Sequence, residues 1–150
     1  MQRLDLSGIP AEQHDGLTFH VAHLCDVAEL PYWEAVRAEA PVPLDLERAC
    51  EFERVGRYLL FVVREPYGGL VGSCGVYLAG PAAREDVMWL APELRKGWTA
   101  LKFYAYGERV LRGFGIARIQ CTIAHDDPRW KLWARAGFGV RSFILEKEVA

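Results

Sequence analysis

Apolar and polar positions along the chain follow two rhythms, and the changeovers between them outline the elements. Residues Leu17–Leu24 mix the two kinds of position as a half-buried strand does. From Asp26 to about Ala40 the spacing becomes helical, with Asp26 as N-cap and Glu29 three places on, in the manner of a capping box. Pro41-Val42-Pro43 ends that helix, and Leu44–Val55 predicts a second. Tyr58–Arg64 (YLLFVVR) has almost no polar position, which predicts a strand covered on both faces. Pro66-Tyr67-Gly68-Gly69 turns the chain back into a strand over Leu70–Leu78, and Gly80-Pro81 turns it again. Glu85–Ala91 is a third central strand, closed by Pro92. A long helix over Thr99–Leu111 ends at Gly113 and Gly115. A strand over Ile116–Ala124, a helix over Pro128–Ala136 and a last strand over Phe143–Val149 complete the series.

Hairpins in the middle and helical crossovers late predict an α/β (α+β) domain, with a mixed sheet and helices on both faces. A right-handed crossover carries the Thr99 helix across the sheet to the Ile116 strand. With no repeat or linker, residues 1–150 are expected to form one domain.

Composition narrows the partners. Of the 150 residues 51% are apolar and 25% charged, which is globular composition, and a net charge of −2 disfavours nucleic acid. Cys25, Cys50, Cys74 and Cys121 form no C-x-x-C pair and sit among apolar neighbours, so free thiols in a reducing cytoplasm are expected, without zinc. No signal-like leader opens the chain, and Leu59–Val63 is far too short to span a bilayer, so a soluble protein is expected.

The stretch Trp89–Phe103 (WLAPELRKGWTALKF) carries the clearest chemistry. A buried strand enters a short loop with Arg95, Lys96 and Gly97, and a long helix follows at once. The first N–H groups of such a helix have no partner within it. With the positive end of the helix dipole they make a cradle for a pyrophosphate. Gly97 lets the backbone approach a ligand, Thr99 adds a hydroxyl, and Arg95 and Lys96 add charge. An ordinary strand-to-helix turn with a solvated basic pair shares this pattern. The stretch is neither a Walker loop nor a G-x-G-x-x-G fingerprint.

Pro92-Glu93-Leu94-Arg95-Lys96-Gly97 resembles the P-E-[YL]-R-[KG]-G stretch that opens the acetyl-CoA loop of GNAT N-acetyltransferases. Leu132-Trp133-Ala134-Arg135-Ala136-Gly137-Phe138 is similar to that family's L-Y-E-K-x-G-F, and the resemblance covers about residues 85–149. It implies a mixed, mostly antiparallel sheet of six to seven strands flanked by about four helices. It also implies acetyl transfer from acetyl-CoA to an amine, without a metal, in a domain that often dimerises. The implied cofactor-binding positions are Leu90, Arg95, Lys96, Gly97, Trp98, Thr99, Ala100, Asp126 and Trp133. Three positions depart from the pattern. Trp98 stands at the loop's inner glycine, Asp126 replaces an amide, and Trp133 replaces the tyrosine that serves many members as general acid. An indole N–H does not act as an acid near neutrality.

Acyl transfer from a thioester needs an amine that loses a proton and a thiolate that leaves. A thiol pKa of roughly 8.5 makes departure easy, and positioning supplies much of the rate. Glu85 and Asp86 are the candidate bases, and strand alternation allows only one of them to face the acceptor. His125, at the end of the fifth strand, is a candidate proton relay. For each of the three taken singly the exposed polar residue is the readier reading, a solvent carboxylate at the strand start or a turn histidine. Tyr32 and Trp33 line an acceptor pocket or pack on the sheet. One of Tyr104 and Tyr106 packs against the sheet, and neither is assigned to catalysis. Trp130 and Trp133 form one aromatic helix face. His14, His20 and His23 read as structural or surface residues, not as a metal pair. Two other readings stand beside the enzyme: a GNAT-fold module that binds acyl-CoA without turnover, and a GNAT-fold nucleic-acid modifier, which the acidic balance disfavours.

Overall fold

Tyr58–Arg64 lies at the heart of the sheet because it has no polar face to offer water. In the computed structural model, which describes residues 2–40, 43–123, 126–141 and 145–149, it is strand β3, with six of its seven residues buried. Around it run β1 (Glu12–His14), β2 (Leu17–Ala22), β4 (Leu70–Ala79), β5 (Ala82–Leu90) and β6 (Arg118–Gln120). The six strands pair in sequence order, β1-β2-β3-β4-β5-β6, and all pairs are antiparallel except β5 with β6. The helices are α1 (Leu24–Val27), α2 (Tyr32–Glu39), α3 (Leu46–Arg54), α4 (Thr99–Gly113) and α5 (Trp130–Arg135).

Alternation along the strands feeds two cores. Leu59, Phe61 and Val63 point with Phe19, Cys74 and Val76 to the face that α4 covers with Phe103, Tyr106 and Leu111. Tyr58, Leu60 and Val62 point to the other face, against Leu24, Val27, Trp33, Val36 and Leu46 of α1 to α3. Helices on both faces, as the apolar run requires, make this the expected α/β class.

The first helical stretch departs from expectation. The segment read as one helix from Asp26 is two, because Pro31 has no N–H to continue the first and stands as N-cap of the second. Asp26 lies inside α1, not at its cap. The free N–H groups at the start of α1 are met instead by Glu53 of α3, a buried carboxylate that accepts from Leu24 N and Cys25 N. The first strand is preceded by the short β1, and β6 is shorter than the expected Ile116–Ala124. The expected last strand is absent over residues 145–149, which have no regular structure, while 142–144 lie outside the described residues.

Candidate active site

Strand β5 organises the site. It starts at Ala82, paired with Ala79 across a tight turn, so Glu85 and Asp86 lie at mid-strand and not at its beginning as the sequence suggested. Opposite them the register slips. Cys74 pairs with Met88 but Val76 pairs with Glu85, which leaves Gly75 facing both Asp86 and Val87. This is a β-bulge, and such an extra residue re-aims side chains and bends the strand. Before it, Ala83 belongs to the α4-side core; after it, Met88 and Leu90 do. Val87 and Trp89 belong to the other core. Glu85 meets Tyr104 of α4, whereas Asp86 feels the charges of Arg48 and Asp45 at the start of α3. The two carboxylates therefore sit on opposite faces, as alternation required. Gly75 is indispensable here: a Cβ on it would lie 1.8 Å from the Tyr58 hydroxyl, which covers this position from the Asp86 side.

Beyond the bulge β5 runs unaccompanied. It pairs with β6 only through Ala82–Arg84 with Arg118–Gln120. From Glu85 to Leu90 no described residue pairs with that edge. This unpaired edge, the gap, runs from Glu85 to the loop that follows Leu90. Its length is about 17 Å at a strand's rise per residue.

The loop at the open end is a 3-10 turn over Pro92–Leu94, followed by Arg95 to Trp98 and then α4. Trp98, the N-cap, offers no side-chain acceptor, and no acidic residue lies in the first turn of α4. The first backbone bond of this helix start runs from Lys102 N to Trp98 O at 2.9 Å. The N–H groups of Lys96 to Leu101 thus have no acceptor among the described residues, beside the positive end of a 15-residue helix. Gly97 has φ 86°, the left-handed region.

The charged residues of the loop differ in freedom. Arg95 is occupied: its Nε donates to Leu90 O at 2.8 Å, its Nη1 lies 2.9 Å from Glu39, and it stacks over Trp89. Lys96 and Trp98 are exposed, and Thr99 and Ala100 are half-buried. Because Arg95 is already paired, and so exposed a pair contributes about 0–1 kcal/mol, Arg95→Ala is expected to weaken acetyl-CoA binding less than about tenfold. Isothermal calorimetry checks this, and a loss of a thousandfold would make the guanidinium the main anchor.

The remaining expected positions are scattered in role. Leu90 buries its side chain in the α4-side core, leaving its backbone at the gap. Trp133 is buried and packs edge-on against Tyr104 at 4.8 Å, and its indole N–H has no hydrogen-bond partner among the described residues. Asp126 is exposed in a turn next to Asp127, which clamps Arg129. His125 lies outside the described residues. Trp33 is committed to the core, donating to Val27 O, and Tyr32 donates to Ser73 Oγ. Among the described residues no group of three or more His, Cys, Asp or Glu is placed to hold a metal, and His20 accepts from Arg64.

Burial sets the protonation of the carboxylates. Loss of hydration raises Glu85 to about 7, against the hydrogen bond from Tyr104 and the charge of Arg129. Asp86 is raised by burial too, with Arg48 and Arg84 opposing. Tyr104 and Tyr58 are pushed up chiefly by burial. Sequence reading missed Tyr58, Arg48 and Tyr104 as neighbours of the carboxylates, since only the pairing of β3 with β4 and β5 and the packing of α3 and α4 on the two faces bring them there.

Known structures share this fold. An aminoglycoside acetyltransferase from an uncultured soil metagenomic sample superposes with a TM-score of 0.69 at 12% identity, over 93% of this chain and 99% of that one. The fold is that of the GNAT acetyltransferases. Glucosamine-6-phosphate N-acetyltransferase from Arabidopsis thaliana gives 0.68 at 10% identity, over 91% and 100%. The aminoglycoside enzyme AAC(6')-Iy, in complex with a CoA-based bisubstrate analogue, gives 0.64 at 14% identity, over 91% and 100%. No protein-family model and no curated protein matches the chain. At such identities the likeness to the GNAT structures concerns the fold.

Proposed function

We propose that residues 1–150 form a single acetyl-CoA-dependent N-acetyltransferase domain acting on a primary amine of a small molecule or peptide. One observation carries the reading: a run of N–H groups, Lys96 to Leu101, unpaired among the described residues, follows the end of a free strand edge that carries two carboxylates at its start. The N–H groups suit a pyrophosphate. The free edge of β5 suits an extended arm with amides, which it takes up as a further strand. A pantetheine arm has that character and that reach, so its thioester falls beside Glu85 and Asp86. Lys96 and Thr99 add contacts at the loop. Trp98, exposed at the helix start, offers an aromatic face. Asp86, on the face lined by Tyr58 and Tyr77, takes the proton of the attacking amine. The four unpaired cysteines support a cytoplasmic setting, and among the described residues no helix is long and apolar enough to cross a membrane.

Acetyl-CoA, binding only the native state, is expected to raise the melting temperature in a concentration-dependent way. A screen of amine acceptors with a thiol-detecting reagent is then expected to show free CoA released. No thermal shift with acetyl-CoA or CoA refutes the proposal. A shift without CoA release from any amine leaves the reading of a binding module.

A further inference from the structure

The acceptor-side base leaves one acid-base pair unexplained, on the opposite face of β5. Glu85 stands where β5 and β6 part, and Tyr104 of α4 donates its hydroxyl hydrogen to Glu85 Oε2. Tyr104 is in turn fixed by rings: Trp133 at 4.8 Å and Phe138 at 5.4 Å, both edge-on. A small cavity of about 20 Å³ between α4 and the sheet adjoins it, lined mainly by apolar groups such as Phe61, Cys74, Phe103 and Ile119, with Glu108 at its margin. Among the described residues, the charged and titratable groups that act on or near Glu85 are Tyr104 from α4, Arg129 ahead of α5, Cys74 of β4, Cys121 beyond β6 and, from the opposite face, Asp86. Trp133 has no proton to give near neutrality, but its buried N–H is a hydrogen-bond donor without an acceptor among the described residues.

Breaking a thioester leaves an electron pair on sulfur, and a proton held close by makes that departure easier. Two adjacent carboxyl groups on opposite faces of one strand are suited to opposite tasks. We propose that Glu85, positioned by Tyr104, gives the proton that the CoA sulfur takes up, while Asp86 receives the proton of the amine. This rests on the N-acetyltransferase reading above. In the balance of the step, the amine nitrogen bonds to the acetyl carbon and the C–S bond breaks with its pair on sulfur. Sulfur takes the Glu85 proton, nitrogen loses one to Asp86, and solvent resets both carboxyls. Burial holds Glu85 at about 7, so the donor form is present below neutrality and is lost as pH rises through that value.

Two measurements on wild type, Glu85→Gln and Tyr104→Phe test this. The first is CoA release across the pH range on both sides of neutrality. The wild-type rate is expected to fall as pH rises through about 7. Glu85→Gln is expected to lose that falling limb and to be roughly a hundredfold slower below it, the low end for general acid catalysis because a thiol leaves easily. Its acetyl-CoA dissociation constant should be unchanged. Tyr104→Phe removes a hydrogen bond that favours ionised Glu85 and so moves the limb to higher pH, which a purely structural role would not do. The second measurement needs no turnover: ultraviolet titration of the thiolate of bound CoA. The thiol is expected to ionise at lower pH in Glu85→Gln, where the neighbouring negative charge is gone. An unchanged limb in Glu85→Gln, or a bound thiol that titrates identically in wild type and Glu85→Gln, overturns the proposal. If no amine releases CoA in wild type, the transferase reading fails, and the thiol titration alone decides whether Glu85 faces the sulfur.

Discussion

Replacing Asp86 by Asn is expected to slow acetyl transfer about a hundredfold or more, with acetyl-CoA affinity kept, which is the scale of losing a general base. The bulge opposite Gly75 puts Asp86 on the same face as Val87, toward α3 and under the Tyr58 hydroxyl. Among the described residues its carboxylate accepts no hydrogen bond, although it is half-buried, so nothing in the fold consumes its lone pairs. Burial raises its pKa, with Arg48 and Arg84 opposing. The sign follows: below its folded pKa the carboxyl carries the proton and is no base, above it the base form is complete. The wild-type rate should therefore rise with pH through that pKa, and Asp86→Asn should lack the rising limb. Removing a carboxylate that is costly to bury should leave the melting temperature unchanged or higher. Steady-state kinetics with calorimetry on the same preparation decide the matter. Normal turnover by Asp86→Asn would place the base elsewhere, or mean that the amine arrives already neutral.

Most of this scaffold was legible wherever one local rule governed it. Tyr58–Arg64 read as a doubly covered strand because its composition leaves no face for water, and α4 read correctly because Phe103, Tyr106 and Val110 recur at helical spacing. Asp15-Gly16 is a two-residue hairpin signal, and both residues have positive φ, 52° and 81°. The strand ahead of it, β1, was nevertheless missed, being only three residues long. Pro31 should have divided the first helix by the rule that ended it at Pro41. Other features have no local signature. The bulge exists only in the pairing of β4 with β5. Glu53 reads as a surface helix residue until the N–H groups of Leu24 and Cys25, nearly thirty positions away, are brought to it. Tyr104 meets Glu85 across 19 positions, through a crossover that fixes which helix faces which strand but not which side chains touch. Splitting Glu85 from Asp86 by face needed only alternation. Recognising that Glu85 takes a hydrogen bond from Tyr104 of α4, while Asp86 lies toward Arg48 of α3, needed the fold.

Substituting Gly97 by Val is expected to weaken acetyl-CoA binding roughly a hundredfold while leaving the melting temperature of the free protein nearly unchanged. Gly97 has φ 86°, and an L-residue in the left-handed region costs roughly 1–2 kcal/mol, more when β-branched. Space is not the obstacle, because a Cβ at this position meets nothing within 4 Å. The cost is conformational. Since residues 96–98 are exposed, the free protein escapes the strain by letting them relax to negative φ at residue 97, which is why the core should not register the change. Binding then requires the loop to return to the left-handed conformation at residue 97, beside the free N–H groups of Lys96 to Leu101, and the strain reappears as lost affinity. About 2.8 kcal/mol corresponds to a hundredfold. Gly97→Ala, which carries the smaller penalty, should fall between wild type and Gly97→Val, about tenfold weaker. This graded order separates a backbone cradle from a charge site: were Lys96 and Arg95 the anchors, both glycine variants would bind like wild type and the alanine variants of the two cations would not. Equal dissociation constants for wild type and Gly97→Val by calorimetry would put the pyrophosphate somewhere other than the start of α4.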